Sequence, residues 1–156
     1  SAASDVYKRQ MWGRHGLEGS IEPFTKHENT TTEITYPKKP NTPVSHLPFS
    51  PCVKVGNLLF VSGQASVDAT GKIIVDTFEG EFQRSMGNLI AILETAGTAL
   101  SRVVQTRCYV DNGDNIPEFN RLYAAAFPAP YPARTTIGQC FRGKLKFEID
   151  CIAIVD

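Results

Sequence analysis

Two charged residues near the C-terminus have side chains suited to binding and processing an organic acid. Arg134 lies in the run Pro-Ala-Arg-Thr-Thr, and Glu148 lies in the last apolar run of the chain. A guanidinium keeps its charge and can hold a carboxylate through two parallel hydrogen bonds, while a carboxylate can move protons or hold a water molecule. We predict that the fold brings both to one of its ends. Taken singly, Arg134 fits a surface ion pair and Glu148 a solvated strand position equally well.

The composition predicts one small soluble domain. The chain has 156 residues, of which 42% are hydrophobic, and its sixteen basic residues balance sixteen acidic ones. The pI of about 6.8, with no basic cluster beyond Lys38-Lys39, is not typical of a nucleic-acid-binding protein. No apolar run approaches the length of a membrane span, about 18 residues. We therefore expect a cytoplasmic protein with neither a nucleic acid nor a membrane as its partner.

The cysteines and histidines argue against several kinds of catalytic site. Four cysteines lie far apart, at Cys52, Cys108, Cys140 and Cys151. None forms a CxxC pair, which predicts reduced, packed thiols. The histidines precede the body of the domain, so we expect neither a Ser/His/Asp triad nor a histidine-bound zinc. Without ligand clusters or phosphate-cradling glycine loops, we expect no metal and no organic cofactor.

The N-terminal region is predicted to lie outside the domain. Residues 1–10, SAASDVYKRQ, match the translation of a transposase-type sequencing adaptor, and we interpret them as an artefact. Residues 11–42 are polar and aperiodic, which predicts a leader without a core of its own. The domain is expected to occupy residues 43–156.

Three short strands are predicted at the start of this domain. Residues 52–55 and 58–62 are apolar runs joined at Gly56-Asn57, a pair that tolerates positive φ and favours a tight hairpin. A third strand is expected over residues 72–75, after a polar turn.

Two helices are predicted, separated by a strand over residues 103–110. The first is expected over residues 78–96, with Asp76 and Glu79 as a capping box and Gly97 as its end. The second is expected to start at Asp114 or Asn115. Their apolar faces comprise Phe78, Phe82, Met86, Leu89, Ile90 and Leu93, and then Phe119, Leu122, Tyr123, Ala126 and Phe127.

Two final strands complete the predicted sheet, over residues 135–139 and 145–155. Alternation in the last strand places Lys146, Glu148 and Asp150 on one face and apolar residues on the other. The elements together predict an α+β fold, a six-stranded mixed sheet with two helices on one face.

Several strings closely resemble a known family. PFSPCVKVGNLLFVSGQ, GNLIAILETAGTALSRVVQTRCYV, FNRLYAAAF, PARTTIG and KFEIDCIAIV resemble the reactive intermediate deaminases, the RidA or YjgF-like proteins, in order and spacing. The resemblance covers most of the chain from Pro43 to Asp156. It implies a chorismate-mutase-like fold, a homotrimer, and active sites between subunits.

The resemblance also implies roles for individual residues. Arg134 falls where the family grips its substrate, Glu148 where a carboxylate positions water, and Ser62 where a small polar residue follows the second strand. Gly63 and Gln64 complete that loop.

Two further positions complete the site that the resemblance implies. The amide of Thr136 is a backbone donor for the substrate, and Phe49 is an aromatic wall. Phe49 departs from the best-known members, which carry tyrosine there, so the ring is kept and the hydroxyl is lost.

The activity implied is cofactor-independent hydrolysis of reactive enamines and imines such as 2-aminoacrylate to 2-keto acids and ammonia, with a small imino or keto acid as ligand. A pathway-specific deaminase of a larger imino acid is an alternative. Another is a non-catalytic trimer that binds a small ligand or regulates a partner. A ribonuclease role, recorded in some names of this family, fits the neutral charge least well.

Overall fold

The computed structural model describes residues 31–40, 42 and 45–156. Within them, six strands form one mixed sheet that carries two α-helices, which confirms the predicted α+β architecture. Residues 1–10 and most of the predicted leader lie outside the described residues. In the part that is described, no helix combines the length and the apolar composition needed to cross a bilayer.

The strands of the sheet are β1 Ile34–Thr35, β2 Cys52–Val55, β3 Leu58–Ala65, β4 Val103–Val110, β5 Ala133–Gly138 and β6 Phe147–Ile154. The helices are α1 Phe78–Thr95 and α2 Ile116–Ala126, each next to a 3-10 turn, Leu100–Arg102 or Gly113–Asn115. The sheet has the order β1-β2-β3-β6-β4-β5. Only β4 and β5 run parallel, since α2 lies between them in the chain and carries it back across the sheet.

The sheet differs from the prediction in its sixth strand. Residues 72–75 form no strand of the sheet, and only an isolated bridge joins Val67 to Ile73. The sixth strand is β1, whose Ile34 pairs with Val55 of β2. A strand of two residues is too short to show a period of two, so the sequence did not predict β1, which lies inside the expected leader. The sheet therefore starts before Pro43.

The start of α1 also differs from the prediction. The N-cap is Thr77, whose hydroxyl accepts a hydrogen bond from the amide of Gly80 at 3.1 Å. Asp76, expected to cap the helix, accepts instead from the Thr77 amide and forms an ion pair with Arg84. The helix ends before Gly97, where φ is +79°, a conformation that favours glycine.

Both helices pack on the same face of the sheet. The rings of Phe82 in α1 and Phe119 in α2 lie 4.8 and 5.7 Å from that of Phe147 in β6, centre to centre. These contacts centre the core on β6, a central strand. Leu58 and Phe60 alternate with buried neighbours on β3 and stay about two-fifths exposed on the opposite face. That face is therefore not covered by either helix.

A buried carboxylate ties α1 to the beginning of β6. Glu81 is fully buried and accepts hydrogen bonds from the amide of Lys146 at 2.7 Å and from its Nζ at 3.2 Å. The amide of Asp76 donates to the same carboxylate. Because a buried charge needs partners on all sides, this cluster fixes how the helix sits against the strand that carries Glu148.

Replacing Glu81 by alanine is expected to lower the free energy of unfolding by about 3 kcal/mol. This value is at the lower end of the range for removing one partner of a buried ion pair, because the Lys146 side chain keeps 33% of its surface exposed. Urea denaturation would measure it. The control is Glu79→Ala on the same helix, since Glu79 pairs with Arg121 on the surface. Equal midpoints for the two variants would contradict a stabilising role for the Glu81 cluster.

Candidate functional site

Glu148 lines a cavity of about 300 Å³ on the sheet face opposite the helices, here called the glutamate pocket. Its neighbour Phe147 points into the core, so alternation along β6 turns Glu148 to the other side. The pocket combines segments from the hairpin, the loop before α1 and the start of β6. Its lining includes Leu47, Phe49, Gly63, Ile73, Leu145 and Glu148.

The carboxylate of Glu148 lies against the backbone of Gly63. A β-bulge between Val61 and Gln64 shifts the register of β3 against β6 at this point. A Cβ atom on Gly63 would overlap Oε1 of Glu148, so any side chain at position 63 would displace the carboxylate. Gly63 therefore leaves room for the Glu148 carboxylate in its observed position.

Glu148 is well placed for proton transfer. Burial raises the pKa of its carboxyl above the ordinary value, and the negative charge of Asp150 raises this pKa further. The carboxylate makes no hydrogen bond to any described residue. A carboxyl group with a raised pKa and free oxygens in a cavity is suited to take up and release a proton.

Asp150 is the next residue on the same face of β6, and its carboxylate is hydrogen-bonded to two residues of β4. Nε of Arg107 donates to both its oxygens, at 2.9 and 3.1 Å, and the Tyr109 hydroxyl donates at 3.0 Å. These neighbours on β4 leave Asp150 only 9% exposed. Because Tyr109 pairs directly with Glu148 across the strands, this cluster lies next to the glutamate pocket.

Replacing Asp150 by asparagine is expected to lower the pKa of the Glu148 carboxyl. The substitution removes the negative charge that disfavours ionised Glu148 and leaves the charge of Arg107 uncompensated, and both changes favour the ionised form. An NMR titration of the Glu148 side-chain carbon would follow the shift. Glu94→Gln, which removes an exposed charge at the far end of α1, is the control. A higher Glu148 pKa in Asp150→Asn would contradict the proposed coupling.

Arg134 lies on β5 and is held by α2. Its Cζ is 4.8 Å from the ring centres of both Phe119 and Tyr123, and its Nη2 donates to Oδ1 of Asn120 at 2.9 Å. The Tyr123 hydroxyl is hydrogen-bonded to Thr106 at 2.9 Å, which fixes that ring. Two cation–π contacts and one hydrogen bond thus orient the guanidinium while leaving other donors free.

The cavity beside Arg134, here called the arginine pocket, has a volume of about 480 Å³. Thr136 follows Arg134 on the same face of β5, and Asn120 faces both from α2. The lining includes Gly113, Ile116, Asn120, Arg134, Thr136 and Gly138. Asn120 is a site residue that the sequence analysis missed. The one sequence feature that points to Asn120 is its position three residues before Tyr123, which puts both residues on one side of the helix.

Within one chain the structure separates Arg134 from Glu148. Arg134 pairs with Thr106, whose side chain is buried against α2, so Arg134 lies on the helix side of the sheet. Glu148 lies on the opposite side, and the two residues line different cavities. Within one chain the two residues therefore do not share a cavity, and the predicted site that combines them stays a prediction. Alternation shows which residues of a strand share a face, but not which faces of two strands coincide.

Of the remaining predicted site residues, two line a cavity and one forms a hydrogen bond within the fold. Phe49 and Gly63 line the glutamate pocket together with Glu148. Ser62 lies outside both lining sets, and its hydroxyl donates to the carbonyl of Ser50 at 2.7 Å. In a single chain, Ser62 therefore holds the segment that carries Phe49 against β3. Its predicted role in catalysis stays a prediction.

The cysteines are unpaired, and three of them are packed as predicted. Burial raises the pKa of Cys108 and of Cys151 to about 12, so these thiols stay protonated and unreactive. Cys140 is exposed in the loop after β5, which corrects the prediction that all four are packed. Among residues 31–40, 42 and 45–156, no three histidine, cysteine or acidic side chains are grouped as metal ligands.

Comparison with known proteins gives consistent matches in sequence and fold. A family model described as Endoribonuclease L-PSP matches residues 39–155. The chain is 30% identical over 111 residues to a 2-iminobutanoate/2-iminopropanoate deaminase of Dermatophagoides farinae, covering 70% of this chain and 87% of that protein. It is 34% identical over 113 residues to the mitochondrial protein mmf2 of Schizosaccharomyces pombe, covering 68% and 86%. The crystal structure of the E. coli YjgF gene product matches with a TM-score of 0.69 at 28% identity, covering 78% of this chain and 99% of that one.

Proposed function

Because the chain belongs to the RidA/YjgF/L-PSP family, we propose that it is a cofactor-independent hydrolase that converts reactive 2-imino acids and their enamine tautomers, such as 2-aminoacrylate, to 2-keto acids and ammonia. One observation carries the proposal. Glu148 presents a desolvated carboxylate, with a raised pKa and no hydrogen bond to a described residue, to a cavity large enough for such an acid. A group of this kind is what the proton transfers of imine hydrolysis need.

The proposed site is shared between two copies of the chain in a homotrimer. Among the residues that the structure describes, those that line the glutamate pocket include no lysine or arginine, and those that line the arginine pocket include no carboxylate. Each pocket thus supplies half of the chemistry. Leu58 and Phe60 on the uncovered sheet face offer apolar surface for a neighbouring copy. We propose that Arg134 of one copy faces Glu148 of the next.

In this site Arg134 binds the carboxylate of the substrate. The rings of Phe119 and Tyr123 hold its guanidinium in place, and Asn120 occupies one of its donors, so that the remaining donors can form a fork. We propose that the amide of Thr136 adds a further hydrogen bond to the substrate. The bound acid then has a fixed orientation relative to the attacking water.

Glu148 moves the protons of the reaction. Water adds to the imine carbon, Glu148 accepts a proton from that water, and it passes the proton to the nitrogen, which gives a carbinolamine. The hydroxyl proton of this intermediate then passes through Glu148 to the amine, the C–N bond breaks, and ammonia leaves as the carbonyl forms. Water is the only other reactant. Phe49 forms part of the apolar wall beside the reacting atoms.

The contribution of Ser62 is the least direct. Its hydroxyl hydrogen is engaged with Ser50, but the oxygen can still accept a hydrogen bond from the substrate amine or from the water. We propose that the Ser62 oxygen keeps this acceptor role in the homotrimer.

The test is the release of ammonia and keto acid when the purified protein meets imines generated in situ by an amino-acid oxidase. The spontaneous rate in water must be subtracted, because these imines hydrolyse unaided. Acceleration above this rate is expected. If the folded protein accelerates no imine, the alternative of a non-catalytic binding protein with the same fold becomes the better explanation.

A cytoplasmic location is part of the proposal. All four cysteines are unpaired, which suits a reducing compartment. A ribonuclease activity, the other function suggested by the description of the family model, is not proposed. Sixteen basic residues balanced by sixteen acidic ones give no net charge to attract a polyanion.

A further inference from the structure

Among the described polar side chains that line the glutamate pocket, only Glu148 makes no hydrogen bond, and each of the others makes at least one. Ser45 accepts a hydrogen bond from the amide of Leu47, and Gln64 donates to the carbonyl of Ser62. Asp68 accepts hydrogen bonds from two amides in its own turn, at 2.8 and 3.1 Å. Among the described lining residues, Glu148 is thus the carboxylate with both oxygens available to a polar ligand atom.

The rest of the pocket is lined by large apolar side chains that are open to solvent. Leu47, Phe49 and Ile73 keep 66%, 47% and 40% of their surface exposed. Val67 and Leu145 also line the cavity. Covering such side chains is favourable by about 25 cal/mol per Å² of apolar surface removed from water. A ligand that reaches this wall with an apolar group therefore gains affinity.

The cavity is larger than the smallest imino acids require. At about 30 Å³ per water molecule, a volume of about 300 Å³ holds roughly ten water-sized groups. The imine of alanine has about six non-hydrogen atoms, so it would leave much of the apolar wall uncovered. The imine of leucine adds a branched chain of matching size and chemistry.

We propose that the glutamate pocket selects 2-imino acids with a bulky apolar side chain, and that Leu47 and Ile73 contact this chain. The inference rests on the proposed function and names the substrate class for the same site. With each methylene worth about 0.8 kcal/mol on full burial, partial burial of the leucine side chain predicts a kcat/KM about tenfold higher for the leucine imine than for the alanine imine.

The test compares these two imines on three variants. Ile73→Ser and Leu47→Ser are each expected to lower kcat/KM for the leucine imine about fivefold and to change the value for the alanine imine less than twofold. Val75→Ser is the matched control, because Val75 is 73% exposed in the same segment as Ile73 but does not line the pocket. Equal losses on both imines, or a preference of the wild type for the alanine imine, would overturn the proposal.

Binding of the keto acid products separates this proposal from the proposed function. Calorimetric titration of the full chain with 4-methyl-2-oxopentanoate and with pyruvate needs no turnover. The larger keto acid is expected to bind about tenfold more tightly, and Ile73→Ser to remove most of this difference. Tighter binding without hydrolysis of any imine would refute the deaminase function and support the pocket assignment. Hydrolysis of the imines with equal binding of both keto acids would support the deaminase function and refute the pocket assignment.

Discussion

Replacing Arg134 by alanine is expected to lower kcat/KM for imine hydrolysis about a thousandfold, within the range seen when a positioned charged donor is removed. The substrate carboxylate would lose a charge-assisted fork and with it its orientation toward the water held by Glu148. The fold should survive. Arg134 is an exposed residue on an edge strand, and its cation–π contacts to Phe119 and Tyr123 contribute about 1 kcal/mol.

Two further substitutions make the Arg134 measurement specific. Arg121→Ala removes an exposed arginine from α2, whose partner Glu79 is on the surface, and should leave kcat/KM unchanged. Arg134→Lys keeps the charge without the planar fork, so its activity should fall between that of the wild type and that of the alanine variant. A folded Arg134→Ala protein with normal activity would contradict the deaminase proposal.

Mixing two inactive variants is expected to restore activity. Glu148→Gln keeps the size of the side chain but cannot accept a proton, so it should lose activity about a thousandfold on its own. Arg134 and Glu148 of one chain lie on opposite faces of the sheet, and a shared site would take one residue from each of two copies. In a random equal mixture with Arg134→Ala, roughly one quarter of such interfaces would carry both native residues.

The mixing experiment needs subunit exchange, for example by refolding the two variants together. Activity measured before and after refolding is the readout, and refolding each variant alone is the control. Recovery toward a quarter of the wild-type rate is expected. If the mixture stays inactive although the native protein recovers fully from the same procedure, the site does not form between copies in the way proposed.

Apolar and alternating runs made most of the sheet predictable. Residues 58–62 of β3 were expected from a short apolar run, residues 103–110 from a run of mixed face, and β6 from the alternation of charged and apolar residues. The failures have local causes. Residues 72–75 do not extend the sheet, because the Asp68 turn folds them back on residues 66–68, with which they form one isolated bridge. β1 has only two residues, and its neighbour β2, not its own sequence, makes it a strand.

The candidate site was predictable in its chemistry and not in its geometry. A guanidinium and a carboxylate with suitable neighbours could be recognised from residue types, and Phe49 and Gly63 do lie with Glu148. The relation of Arg134 to Glu148 depends on the parallel pairing of β5 with β4, which no local pattern encodes. Asn120 was missed for a related reason. Its importance comes from the contact with Arg134, which joins two elements that the chain places far apart.

The position of β5 links assembly to ligand affinity. This strand ends the sheet, is paired with β4 alone, and has six exposed residues. A strand with so few buried contacts has a low free energy of local opening. In an isolated chain, the cost of ordering β5 would therefore weaken the binding of a carboxylate at Arg134. A neighbouring copy that covers β5 would preorganise it, so that the affinity for an acid and the tendency to associate would increase together.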